Sequence, residues 1–142
     1  MRALLDVNVL IALLDGGHQS HAPARQWLLD NADNGWASCP ITQNGCVRIL
    51  SQPAYPNAVP TSIAIEKLGH ACAMPQHQFW SDSVSLVDET VARRERIHGP
   101  RQLTDLYLLA LAVHHGGRFV TFDGAVATTA VRHVTPKHLV VI

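Results

Sequence analysis

The chain has 142 residues, of which 47% are apolar and 15% charged. That length and balance suit one compact domain over 1–142, able to bury close to ~70% of its unfolded surface. Eleven cations balance eleven acids, so there is no broad basic surface. No apolar stretch reaches the ~18 residues a membrane span needs. Asp6 interrupts the apolar start too early for a signal peptide, which argues against a membrane location. Cys39, Cys46 and Cys72 are odd in number and form no CxxC pair. They are expected as free thiols in a reducing cytoplasm, outside any disulfide or zinc framework.

Arg2–Leu5 reads as a buried strand and Val7–Leu14 as a short apolar helix ending at Asp15-Gly16-Gly17. Pro23 suits the first turn of a second helix, with Ala24, Trp27, Leu28 and Ala32 on one face and an end near Asn34-Gly35. Trp36–Cys39 is a short strand that Pro40 stops, and Ile41-Thr42 opens a helix bearing Val47 and Leu50. Three prolines make Ser51–Pro60 an ordered loop or a linker between two lobes of the same domain. Thr61 suits an N-cap, with a helix running on towards Pro75. Trp80–Val87 alternates weakly, as an edge strand does, and Glu89–Ile97 reads as an Arg-rich helix stopped by His98-Gly99-Pro100. Gln102–His115 is the most apolar helix, ended by Gly116-Gly117. Phe119–Phe122 and Leu139–Ile142 complete the strands. This alternation predicts an α/β fold, a three-layer α/β/α sandwich around a mainly parallel sheet.

Three aspartates hold equivalent places in that pattern. Asp6 closes the first apolar run, Asp105 opens the apolar helix Leu106–Val113, and Asp123 closes Arg118-Phe-Val-Thr-Phe. In a parallel α/β fold, strand ends and helix starts gather along one edge of the sheet, where ligands bind. Singly, each has an ordinary role: Asp6 as a helix cap, Asp105 as a partner of a helix dipole, Asp123 as a turn residue. Together they predict a shared carboxylate cleft. At ~5 Å and an effective dielectric of ~20, each ionised pair repels by ~3 kcal/mol, and a divalent cation is the natural counter-charge. The expected chemistry is metal-dependent hydrolysis of phosphodiesters.

The strings LLDVNVLIALL, ITQNGCVRIL, LTDLYLLALA and FVTFD follow, in order and spacing, the pattern of PIN-domain ribonucleases. The chain resembles a VapC-type toxin over nearly its whole length. The resemblance implies a Mg²⁺- or Mn²⁺-dependent endoribonuclease, homodimeric and held inactive by a small antitoxin. It matches Asp6 and Asp105 to the family's metal-binding acids and Asp123 to a further acid of the same cluster. Asn8 matches a polar neighbour of the first acid, and Thr42 the residue opening the helix that carries the fourth. Both are expected to face substrate. At that fourth position the family usually has Glu, whereas this chain has Gln43. Gln43 keeps the size and one oxygen acceptor but loses a full charge, so it is expected in the catalytic site with weaker hold on metal.

RNA needs cations near the cleft. Of the eleven, only Lys67 and Lys137 are lysines and the other nine are arginines, the side chain best suited to bidentate phosphate contact. Arg48, about one turn beyond Gln43, is the leading candidate for a phosphate contact, with pairing to a neighbouring acid as the alternative. Arg93-Arg94-Glu95-Arg96 with His98 comes next, with a solvated helix face as the alternative, and then Arg101. Trp36, Tyr55, Phe79 and Trp80 read mainly as core, with base stacking as the alternative. His18, His21, His114 and His115 read as structural. Competing functions are an RNA- or protein-binding module whose site has decayed through Gln43, a nuclease for structured DNA, and a phospho-receiver domain. The last needs an adjacent acidic pair that Asp6-Val7 does not supply.

Overall fold

The computed structural model describes residues 1–142. Its strands are β1 (Ala3–Leu5), β2 (Trp36–Ser38), β3 (His77–Phe79), β4 (Arg118–Thr121) and β5 (Leu139–Val141). Its helices are α1 (Val7–Leu14), α2 (His21–Asp30), α3 (Pro40–Leu50), α4 (Thr61–Cys72) and α5 (Leu103–His114). All five strands run parallel in the order β3-β2-β1-β4-β5. From central β1 the chain first winds outward through β2 to β3, then crosses back to β4 and β5. The winding therefore reverses between β1 and β4, and the crevice beyond their C-terminal ends is where such sheets bind ligands.

Strand side chains alternate between two faces. Leu4, Ala37 and Phe119 point to a core shared with Leu106, Leu108, Leu109 and Leu111 of α5. Ala3, Leu5, Trp36 and Val120 point the other way, against Val9, Leu10 and Ile11 of α1, with Cys46, Leu50 and Ala64 from α3 and α4. This is the three-layer sandwich the alternation of elements predicts. α1 and α3 approach closely: a Cβ on Gly45 would lie 2.8 Å from Val7 Cγ2, so only glycine lets α3 sit this near the start of α1. No helix is long and apolar enough to cross a membrane.

Two expected elements are different. The edge strand is His77–Phe79, paired with Trp36–Ser38, and Trp80–Val87 is not strand. After the Trp80 N–H donates to Ser38 O at 2.8 Å, the Trp80 ring turns inward. It is buried and stacks on His115, centroids 4.2 Å apart. Nor do Glu89–Ile97 form a helix; only Arg94–Arg96 makes a 3₁₀ turn. There the backbone pairs with distant chain: Arg93 N–H bonds Ala130 O at 2.8 Å, and Ala92 bridges Val131 antiparallel. The Arg93 guanidinium donates to Thr129 O and Val131 O at 3.0 and 3.2 Å. Smaller differences fall at helix ends. α2 stops at Asp30, with a 3₁₀ turn over Ala32–Asn34, and Pro60 rather than Thr61 holds the N-cap of α4.

Candidate active site

Asp6 leaves β1 and caps α1: its Oδ1 accepts the Val7 N–H at 2.7 Å. Because Leu5 is in register with Val120, Asp6 comes beside Thr121, the last residue of β4. The Thr121 hydroxyl donates to Asp6 Oδ2 at 2.7 Å. The same hydroxyl oxygen accepts the Asp123 N–H at 3.0 Å, and Asp123 Oδ1 accepts the Ala125 N–H at 2.7 Å. Asp105 enters from the first turn of α5. Three segments far apart in sequence thus meet at the β1/β4 crevice.

The acids feel one another. Burial, followed by the charges of Asp6 and Asp123, pushes the Asp105 carboxyl up to about 6. Burial also raises Asp6, the Thr121 and Val7 hydrogen bonds oppose it, and the Asp123 charge adds to the rise. No cation is among the groups acting on either, so the crevice carries unbalanced negative charge. Asp105 and Asp123 line a cleft of about 220 Å³ with Arg101, Gln102 and Ala125–Ala127. Asp6 lies deeper, 6% exposed.

A divalent ion suits this donor set in charge and in chemistry, because all three acids offer hard oxygens whose mutual repulsion it would relieve. As arranged, no three His, Cys, Asp or Glu side chains stand at metal-ligating separation. Each Asp6 oxygen accepts one protein hydrogen bond and keeps a second lone pair.

The other expected site residues divide. Asn8 and Arg48 are exposed, yet neither lines the acidic cleft. Thr42 is corrected: it is fully buried and faces no substrate. Its Oγ1 accepts the Cys39 N–H at 3.0 Å and donates to Cys39 O at 3.2 Å, a capping interaction at the start of α3. Gln43 makes no hydrogen bond to the acids: its Nε2 donates to Ser38 Oγ at 2.9 Å and approaches Cys72 Sγ at 3.7 Å. Ser38 Oγ and His77 Nε2 share a further hydrogen bond of 2.8 Å, and burial lowers the His77 pKa. Gln43 thereby lines a separate groove between α3 and α4, with Val47, Ile65, Leu68 and Cys72.

Thr121 is the functional residue that sequence reasoning passed over. Its signal was present in the sequence, because Thr121 stands two before Asp123 at the end of the apolar run. Trp36 and Trp80 are core, as expected. Tyr55 donates to Asp15 Oδ2 at 2.5 Å and Phe79 is exposed. His18 and His21 hydrogen-bond locally, to Ser20 N–H and Ala12 O.

The family model described as PIN domain matches residues 3–131. Ribonuclease VapC44 of Mycobacterium tuberculosis is 55% identical over 139 residues, spanning 98% of both chains. Ribonuclease VapC39 of the same species is 44% identical over 131 residues, spanning 92% of this chain and 94% of that one. Among solved structures, Mycobacterium tuberculosis VapC20, a Sarcin-Ricin loop cleaving toxin, superposes with a TM-score of 0.61 at 14% identity, over 94% of this chain and 99% of that one. VapBC2 from Rickettsia felis, bound to a DNA fragment from its promoter, gives 0.58 at 16% identity, over 87% and 89%. At such identities the structural likeness speaks to the fold alone.

Proposed function

Because the chain belongs to the PIN-domain family and, within it, to the VapC-type toxins, we propose that it is a Mg²⁺- or Mn²⁺-dependent endoribonuclease acting from the β1/β4 crevice. The observation that carries this reading is the electrostatic coupling of Asp105 to Asp6 and Asp123. Three acids from separate segments repel one another with no cation close enough to offset Asp105 or Asp6, an arrangement that costs stability and makes sense as a place for a positive ion. The relatives named ribonuclease, at 55% and 44% identity, support RNA as the substrate.

Each residue has a definite task in this proposal. Asp6 is the fixed acid, clamped by the Val7 N–H and the Thr121 hydroxyl. Asp123 is held through its own turn and through Thr121. Asp105 is the pH-sensitive member, because it must ionise before it can hold a cation. A bound Mg²⁺ or Mn²⁺ would polarise the scissile phosphate and lower the pKa of the attacking water. Asn8 and Arg48 serve as outer contacts to RNA. Gln43, tied to Ser38, contributes no charge, which leaves a site of three acids and a weaker hold on a second ion.

For partners we propose a small antitoxin that holds the enzyme inactive, in keeping with the toxin–antitoxin complex among the structural relatives. We also propose a homodimer, for which exposed Ile63 and Ile65 on α4 offer apolar surface. Three free cysteines and an RNA substrate fit a cytoplasmic setting. The orientation of Gln43 gives one specific foothold to a second reading, an RNA-binding module that no longer cleaves. Family membership removes the phospho-receiver alternative.

Asp6→Asn separates the two readings. Purified chain is incubated with total RNA in Mg²⁺, Mn²⁺ or EDTA, and cleavage ends are mapped. The enzyme reading expects discrete ends in either metal, lost in EDTA and in Asp6→Asn while RNA binding persists. Metal-independent cleavage, or equal cleavage by Asp6→Asn, overturns it.

A further inference from the structure

We infer that Arg101 is a phosphate-binding residue of this cleft, taking a backbone phosphate of single-stranded RNA as it passes the acids. The inference rests on the ribonuclease reading for the identity of its ligand. Arg101 lies in the 3₁₀ turn Pro100–Gln102 that leads into α5, and it is the one cation lining the cleft with Asp105 and Asp123. It is exposed and its charge is unspent. The single ion pair of the chain joins Arg94 to Glu89. Asp105 is perturbed by burial, Asp6 and Asp123, with no contribution from Arg101. A guanidinium that lines the same cleft as two carboxylates without pairing to either is available to an incoming anion.

Two further features favour an anion at this rim. Gln102, at the N-cap of α5, makes no capping bond to its own helix; its Oε1 accepts the His98 N–H at 2.9 Å instead. The Leu103 N–H is taken by Pro100 O, but the start of a twelve-residue helix still lies beside Arg101, adding the positive end of the helix dipole. The chain as a whole is neutral, with eleven cations and eleven acids, so long-range attraction cannot bring RNA to an acidic crevice. Local cations must do so. The planar fork of arginine matches two phosphate oxygens, which an ammonium cannot reproduce.

The test measures binding of a fluorescent oligouridine in the non-cleaving Asp6→Asn background, from about 50 to 200 mM salt. Each phosphate contact to single-stranded RNA contributes roughly 0.7 to the slope of log affinity against log salt. Arg101→Gln is expected to lower that slope by about 0.7 and to weaken binding several-fold at low salt. Arg101→Lys is expected to restore the slope and only part of the affinity. Arg25→Gln, on exposed α2 surface outside the cleft, should change neither. Without the Asp6 substitution, Arg101→Gln should raise KM with kcat nearly unchanged, and its melting temperature should stay at the wild-type value. An unchanged slope and affinity, or no oligouridine binding at all, overturns the inference. The outcome is independent of the cleavage test: failure to cut RNA would strike the enzyme reading while the salt slope still reports on Arg101.

Discussion

Asp105→Asn removes one of three mutually repelling acids while keeping the shape of the side chain, so it should stabilise the protein as it destroys the site. The ordinary carboxyl value of 3.8 is raised to about 6 in the folded chain. Two units correspond to a ceiling of roughly 3 kcal/mol. Asp105 is only half-buried, and solvent screening reduces this to about 1 kcal/mol. In a chain of this length that amounts to about 4 °C in melting temperature. The sign with pH is fixed. Below about pH 4 the carboxyl is protonated in both states and costs nothing. Between about 4 and 6 the folded state holds the extra proton, so wild-type stability falls as pH rises, and above about 6 the whole cost is present. Melts in EDTA should therefore show the two proteins together at low pH and Asp105→Asn ahead near neutrality. Mg²⁺ or Mn²⁺ should reverse the order, since an ion at a hundred times its Kd adds roughly 2.7 kcal/mol to the protein that binds it. If Asp105→Asn is the less stable protein in EDTA near pH 7.5, or if the gap is the same at pH 4, the repulsion argument fails.

Three other outcomes follow from specific contacts. Gly45→Ala would drive a methyl into Val7 Cγ2 at 2.8 Å, costing about 1–3 kcal/mol and displacing the segment that carries Asp6. Melting temperature and cleavage should fall together and recover in Gly45→Ala/Val7→Ala. Thr121→Val removes the hydroxyl that donates to buried Asp6 Oδ2, at about 1–3 kcal/mol. It also removes the largest influence lowering the Asp6 carboxyl, so manganese affinity should fall off at a higher pH than in wild type, as titration calorimetry across pH would show. Gln43→Glu gives up the amide bond to Ser38 Oγ but adds an acid beside α3, and cleavage at low Mg²⁺ should quicken. Identical metal dependence of the two proteins would count against any role for position 43.

Local pattern was enough to read the elements that build the crevice. The apolar run after Asp6 marks α1 with its observed bounds, Val7–Leu14. The runs ending at Asp6 and Asp123 mark the neighbouring central strands β1 and β4. What local pattern could not supply was any contact closed over long sequence distance. Ser38 and His77 are 39 residues apart, and Gln43 joins that pair through Ser38 Oγ rather than bonding the acids. Arg93 satisfies carbonyls 36 and 38 residues onward, and the Arg-rich stretch forms only a 3₁₀ turn in place of the expected α-helix. Thr42 looked like a polar group on offer to substrate, yet its hydroxyl is consumed by Cys39 three residues back. In each case a specific hydrogen bond that the local pattern does not announce decided the outcome.

The central claim is that Asp6, Asp105 and Asp123 close on one cation. Anomalous diffraction from crystals of the protein soaked in manganese reads this directly. A peak bounded by carboxylate oxygens of all three, absent from crystals of Asp6→Asn, is the expected result. Full manganese occupancy elsewhere, with the β1/β4 crevice bare and Asp6 still locked to Val7 and Thr121, would contradict it.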